Sequence, residues 1–308
     1  MQLSFDVGQT RSRARVSDSE KVLWEGETEG FSAGGSPEGH IARVVEYAAS
    51  RSPVDAFDTA AGGSTGLHGR IPPLEKLGAR LHATAGVRHL YLADDAVTSH
   101  LGAFAGEPGV LAAVGTGLVA LGAGSRGVAR VDGVGPLIGD KGAGFWIGRE
   151  GIIAALSARD GRTGGSSALL DRLREQFGDV DDVPGKVAGA AAPIAVVASF
   201  AVEVAAAARA GDEIARGVWR AAAAHIANAV CAAADGANLG PELTWSLTGR
   251  IAEAGDLLEP ALSTAVAQRF PQACRVAPQG TALDGARHLP GAGKALHESA
   301  LVAEYHHG

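Results

Sequence analysis

Cysteine is almost absent from this chain. Cys231 and Cys274 are the only two in 308 residues, too few for a disulfide framework, a cysteine-rich zinc site or a thiolate-held cluster. Basic charge is also in deficit. The formal net charge is −7, so neither nucleic acid nor an anionic bilayer finds the clustered Lys and Arg it requires. An anionic ligand has to be met by local dipoles and a metal ion instead. Long hydrophobic runs are missing too: the longest, residues 193–208, is interrupted by Glu203 and is too short to span a bilayer. Of the histidines, His100, His225 and the pair His306-His307 do not fall at ligand spacing beside a carboxylate. The strand signal begins at Gln2, so no secretory leader is expected and the expected location is the cytoplasm.

What remains is an ordinary globular composition, 46% apolar and 20% charged, in a chain long enough that two domains are the natural expectation. Residues 3–7 alternate as a strand, and 12–16 and 21–25 follow as two more. Ser36-Pro37-Glu38 opens a helix with a capping hydroxyl, a first-turn proline and an acid, and Ile41, Val44, Val45 and Ala48 form its apolar stripe. A strand over 56–61 ends in a glycine turn that includes Gly62, Gly63 and Ser64, a helix opens at Pro72-Pro73, and a strand over 89–93 ends at Asp94-Asp95. This order predicts an α/β domain with a mixed sheet. A similar start recurs: a strand over 110–114, the turn Gly115-Thr116-Gly117, and strands over 118–121 and 127–131. Residues 151–236 are Ala-rich and helical, 243–247 is a strand ending at Thr248-Gly249-Arg250, and a last helix is expected over roughly 295–305.

Several of these features can carry chemistry. Asp6-Val7-Gly8-Gln9-Thr10 sets a carboxylate at the end of the first strand before a tight turn, whose backbone N–H groups form an anion-binding concavity; Asp6 is suited to hold Mg²⁺ through water. Taken alone, it also reads as an ordinary hairpin. Gly115-Thr116-Gly117 repeats the device, and facing the first turn it would complete a two-jawed phosphate clamp. Of Asp94 and Asp95, one is expected to cap the following helix and the other to face substrate. Residues 133–150 hold six glycines, with Asp140 presented among them and Phe145 and Trp146 as packing anchors.

Together these motifs resemble the BadF/BadG/BcrA/BcrD ATPase family, and within it the N-acetylglucosamine and glucosamine kinases of the actin-like superfamily, over nearly the whole chain. Asp6–Thr10 and Gly115–Gly117 are similar to its two phosphate motifs, residues 135–150 to its interdomain glycine segment, 247–251 to its adenosine motif, and Asp284-Gly285-Ala286 to its C-terminal turn. The resemblance implies two ribonuclease-H-like (actin/hexokinase-type) domains, 1–108 and 109–290, with a helical insertion over 151–236, a closing helix at about 291–308 packed back on the first domain, and an ATP and sugar cleft between them. It implies Asp95 as the base that activates the sugar 6-hydroxyl, and Gly8, Gln9, Thr10, Gly115, Thr116, Gly117, Gly249 and Arg250 around ATP. Gly62, Gly63, Ser64, Asp95 and Asp140 are implied around the sugar, with Asp6 as the Mg²⁺ residue. Its partners are then the sugar and ATP, with no nucleic acid or membrane, and a homodimer is compatible with it. Three departures from the family pattern stand out: the first phosphate motif has Val7 and Gln9 where Gly and a small residue are common, Lys141 replaces the Glu that usually follows Asp140, and Ser32-Ala33-Gly34-Gly35-Ser36 lacks the Asn of the acetyl-sugar kinases, which leans the reading toward free glucosamine.

Overall fold

A computed structural model describes residues 1–18, 21–31, 35–54, 56–67 and 69–308. The first half comprises β1 (Gln2–Val7), β2 (Arg11–Ser17), β3 (Val22–Glu29), α1 (Pro37–Arg51), β4 (Thr59–Ser64), α2 (Glu75–Ala85), β5 (His89–Asp94) and α3 (Asp95–Phe104). The second comprises β6 (Gly109–Val114), β7 (Leu118–Gly124), β8 (Gly127–Asp132), the helices α4 (Gly144–Arg159), α5 (Ser167–Phe177), α6 (Val183–Ala188), α7 (Pro193–Ser199), α8 (Ala201–Arg209) and α9 (Glu213–Gly236), then β9 (Thr244–Thr248), α10 (Gly255–Arg269) and β10 (Cys274–Arg275). The chain ends with α11 (Ala282–His288), α12 (Lys294–His297) and β11 (Val302–His306).

The duplication visible in the sequence is a duplicated sheet. One sheet runs β11-β5-β4-β1-β2-β3 and the other β10-β9-β6-β7-β8. Apart from β11, the two share one plan: an antiparallel three-strand meander whose first strand is continued by two parallel strands. This is an α/β architecture of two sheets built on one plan, as the repeated strand and glycine-turn order predicts. Each sheet buries one apolar face under helices, Leu3, Phe5, Leu90 and Leu92 against α1 and α2, and Val110, Ala112, Leu118 and Ala120 within the core that α9 and α10 complete. A third cluster, with Val97 and Leu101 of α3, Leu121 and Ala123 of β7, and Leu289, Leu296 and Val302 of the C-terminal stretch, joins the halves.

Ser36 caps α1 as its sequence suggests, its Oγ accepting from the Gly39 amide at 3.2 Å. Three expectations need correction. Pro72-Pro73 precede α2, which starts at Glu75 after an uncapped Leu74. The expected closing helix over 295–305 is one short turn followed by a strand: β11 pairs antiparallel with β5, placing His306 opposite His89 and Val302 opposite Ala93. Alternation of Val302, Glu304 and His306 with Ala303 and Tyr305 fits a sheet edge, and this two-residue period outweighs the helical spacing. The boundary at 290 also shifts, because α11 packs on α3, β1 and β4 of the first half and the Gln279 amide already bonds the Ala103 carbonyl. Among the described residues no single helix is long and apolar enough to cross a membrane; the stretches Pro193–Arg209 and Glu213–Gly236, apolar enough when joined, are bent by 119°.

Candidate active site

Register brings the candidate residues of the first half to one edge. Asp6 pairs with Gly63, Val7 with Ser64, and Ser64 with Asp94, so β1, β4 and β5 end side by side. The turn Gly8-Gln9-Thr10 closes the β1–β2 hairpin there. The Gly8 amide donates to the Arg11 carbonyl, and the Thr65 amide to the Val7 carbonyl, at 3.1 and 2.9 Å. Gln9 and Thr10 are left exposed at its tip.

Asp94 and Asp95 divide their tasks. Asp94 is buried and caps α3, its Oδ1 accepting from the Ala96 amide at 3.2 Å and its Oδ2 from the Gly69 amide at 2.8 Å. Asp95, half-buried at the edge, bonds the Thr65 side chain. Burial first, then the neighbouring Asp94 charge and more distantly Asp6, push its carboxyl up to about 6, against the opposing Thr65 hydrogen bond. A carboxylate so held is ionised at neutral pH yet basic enough to take a hydroxyl proton.

Asp6 lies directly across the ladder from Arg13, whose Nη2 donates to Oδ2 at 2.8 Å. Burial nevertheless raises the Asp6 carboxyl above its usual range, so Arg13 does not fully offset the cost of its charge. No group of three metal-ligating side chains exists among the described residues. That donor set suits Mg²⁺, which keeps several waters and takes one or two carboxylates plus substrate phosphates, and not an all-protein cage.

The second half supplies the second turn. Gly115-Thr116-Gly117 closes the β6–β7 hairpin, and its Gly115 and Thr116 carbonyls accept from the Gly144 and Phe145 amides that begin α4. Beside it Gly249, at φ 90°, brings the turn after β9 against the Val114 carbonyl so closely that a Cβ there would overlap it. Only glycine satisfies both demands. A cavity of about 410 Å³ opens between these turns and helices α7 and α8, lined by Gly115, Thr116, Arg250 and Glu253 and walled by Ala198 and Ala205. It has the size and the mixed apolar and polar lining of a small-molecule site.

Several residues expected around the sugar also have partners within the fold. Gly62 and Gly63 are buried inside β4, not in a turn; a Cβ on them would overlap the Phe5 ring and Thr98 Oγ1, respectively, so packing explains both. Ser64 is buried as well and donates to the Thr65 carbonyl. Asp140 holds its own loop together: Oδ1 accepts from the Gly133 and Val134 amides at 3.0 and 3.2 Å, while its amide donates to Asp132 Oδ1 at 3.1 Å. Both Asp132 and Asp140 adopt positive φ, 59° and 56°. Phe145 is a buried anchor as expected, Trp146 meets His225 edge to face at 5.0 Å, and Asp284, inside the first turn of α11, closes a capping box with Thr281 and pairs with Arg15. Of the segment 32–36, residues Ser32, Ala33 and Gly34 lie outside the described residues.

Three contributors escaped the sequence reading. Thr65 sits in the glycine stretch and was within reach. Arg13 belongs to the series Arg11, Arg13, Arg15, whose two-residue period on β2 puts three guanidiniums on one face, paired with Glu27, Asp6, and Glu25 with Asp284. Arg130, which reaches across to Asp94, has no local signal at all.

A family comparison matches residues 5–287 to the BadF/BadG/BcrA/BcrD ATPase family. Among solved structures the chain is similar to a candidate N-acetylglucosamine kinase from Chromobacterium violaceum, at 25% identity and TM-score 0.68 over 94% of this chain and 98% of that one. It shares its fold with a ROK family glucokinase from Streptomyces griseus in complex with glucose and AMPPNP, at 17% identity and TM-score 0.56 over 94% and 99% of the two chains. The fold is also that of a candidate N-acetylmannosamine kinase from Listeria monocytogenes, at 11% identity and TM-score 0.60 over 94% and 98%. None of the curated proteins compared matches the sequence. The duplicated sheets, the paired turns and the matched span agree: the chain belongs to the BadF/BadG/BcrA/BcrD ATPase family.

Proposed function

We propose that the protein is an ATP-dependent amino-sugar kinase that phosphorylates the 6-hydroxyl of glucosamine. The observation that carries this reading is Asp95: a strand-end carboxylate raised to about 6, in a chain whose other half has a glycine turn opening onto a cavity of about 410 Å³. ATP would place its base and ribose in that cavity beside Arg250 and Ile251, and its phosphates between Gly8-Gln9-Thr10 and Gly115-Thr116-Gly117. Mg²⁺, held by Asp6 through water, would supply neutralisation of the phosphate charge. Asp95 takes the proton of the 6-hydroxyl, the oxygen attacks the γ-phosphorus in line, and the bond to the β-phosphate oxygen breaks to release ADP. Phosphoryl transfer of this kind rests on positioning and electrostatics more than on covalent chemistry.

The charges near Asp95 support a cationic acceptor. Among the described residues Asp6, Asp94 and Asp95 are offset by Arg13 and Arg130, which leaves net negative charge for a 2-ammonium group to meet. The likeness to a candidate N-acetylglucosamine kinase supports the acetylated sugar as the second reading. A coupled assay of ADP release over glucosamine, N-acetylglucosamine, glucose and mannosamine separates the two. Preference for the acetylated sugar overturns the first, and silence with every sugar points to a non-catalytic sugar sensor on this scaffold. The reading implies a cytoplasmic enzyme whose partners are a sugar and ATP, with neither nucleic acid nor membrane.

A further inference from the structure

Arg130 lies on β8, two residues before its end, in the second half of the molecule, yet its guanidinium engages both halves. Its Nη1 donates to the Asp132 carbonyl at 2.9 Å and its Nη2 reaches the Gly133 carbonyl at 3.3 Å. Its Nε faces Asp94 Oδ1 at 3.6 Å, too long for a hydrogen bond, and that buried N–H has no partner. Its stem lies against Gly69, where a Cβ would stand 3.6 Å from Cδ. Gly69 in turn donates to Asp94 Oδ2, and Thr65, a few residues earlier, bonds Asp95.

One side chain therefore touches the root of the glycine segment, the loop that follows β4, and the cap residue next to Asp95. Those parts belong to different sheets. The planar fork of arginine suits such multiple engagement, which the point charge of lysine does not reproduce. Asp94 is buried, and Arg130 pairs with it from the other half of the molecule.

We propose that Arg130 is a positioning residue for phosphoryl transfer: it clasps the glycine segment of the second half to the Asp94–Asp95 strand end and so sets the spacing of the acceptor seat. This inference rests on the kinase reading above. Misplacement of reacting groups by an ångström lowers turnover steeply while leaving remote binding intact.

The test compares wild type, Arg130→Met, Arg130→Lys, Asp94→Asn and the Arg130→Met/Asp94→Asn double variant in the ADP-release assay, alongside hydrogen exchange of the ligand-free proteins. Arg130→Met is expected to lower kcat at least tenfold with the KM for ATP changed less than twofold. Arg130→Lys should recover only part of kcat, and the double variant should be no slower than the slower single, because both break one clasp. In the ligand-free protein, peptides covering 131–140 and 64–70 should both exchange faster in Arg130→Met, with peptides of α9 unchanged. Multiplicative losses in the double variant, full rescue by lysine, or unchanged exchange in either peptide overturns the clasp. If wild type is inactive with every sugar, the kinase reading fails by itself, and the exchange data still decide whether Arg130 joins the two segments.

Discussion

Replacing Asp95 by Asn should damage turnover and improve stability in the same molecule. The Asp95 carboxyl is raised from 3.8 to about 6 by burial and by Asp94. A raised acid favours the protonated form in the folded state, so its ionisation costs stability above about pH 6, and that cost fades as pH falls toward the unfolded value. The two-unit shift corresponds to at most about 3 kcal/mol at neutral pH, less for the part of the side chain that solvent screens. Asp95→Asn removes the charge and keeps the shape, so melting by calorimetry should rise by a few degrees at pH 8, on the scale of about 2–4 °C per kcal/mol for chains somewhat shorter than this one. At pH 4 the gain should be absent. Turnover by ADP release should fall by about 10²–10⁴, the usual contribution of a positioned general base. In wild type, kcat/KM should lose most of its value between pH 7 and pH 5, as the ionised fraction drops from roughly nine-tenths to one-tenth; the variant should lack this limb. Near-wild-type turnover of the variant, or melting temperatures that differ equally at pH 8 and pH 4, would refute the argument.

Ala198→Trp projects an indole into the cavity beside Arg250 and should raise the KM for ATP at least tenfold with the sugar KM little changed, checked by varying each substrate in turn. Asp140→Ala removes the acceptor of two backbone amides and should cost about 1–3 kcal/mol in urea unfolding while raising the sugar KM; equal stability and equal KM would show the loop braced by other means. Gly285→Ala forces a Cβ into the Thr98 carbonyl where α11 crosses α3, and should cost about 1–3 kcal/mol or more, whereas Gly291→Ala, which has open space around it, should leave the melting point unchanged.

How much of this was legible depends on how local each signal is. The strands over 3–7, 12–16 and 110–114 were readable because alternation, or an unbroken apolar run before a glycine turn, survives in the residues themselves. The roles of Asp94 and Asp95 were half-legible: strand end and helix start were visible, and the structure assigns the cap to Asp94. Gly62 and Gly63 misled because a glycine that admits a Phe5 ring cannot be told, in sequence, from one that turns the chain. The bracing role of Asp140 within its own loop was hidden similarly, since its partners Gly133 and Val134 are amides, which leave no side-chain signature. Arg130 was invisible, because its meaning comes from Asp94, on the other sheet and 36 positions away in the chain. The final strand was lost to short-range helical spacing, whereas its real determinant is the open flank of β5.

That last strand gives the order of assembly a particular shape. The first sheet owns both β1 and β11, and α11 covers the strands at its centre. On the ribosome, residues 1–104 would emerge with the β5 edge unpaired and the α11 site bare, and would wait through the synthesis of the whole second half. The second half, in contrast, closes its sheet once β10 has been made. A nascent chain halted before residue 282 should thus hold a protease-resistant second half joined to a vulnerable first one. Growth of this enzyme is then limited at its beginning by its end.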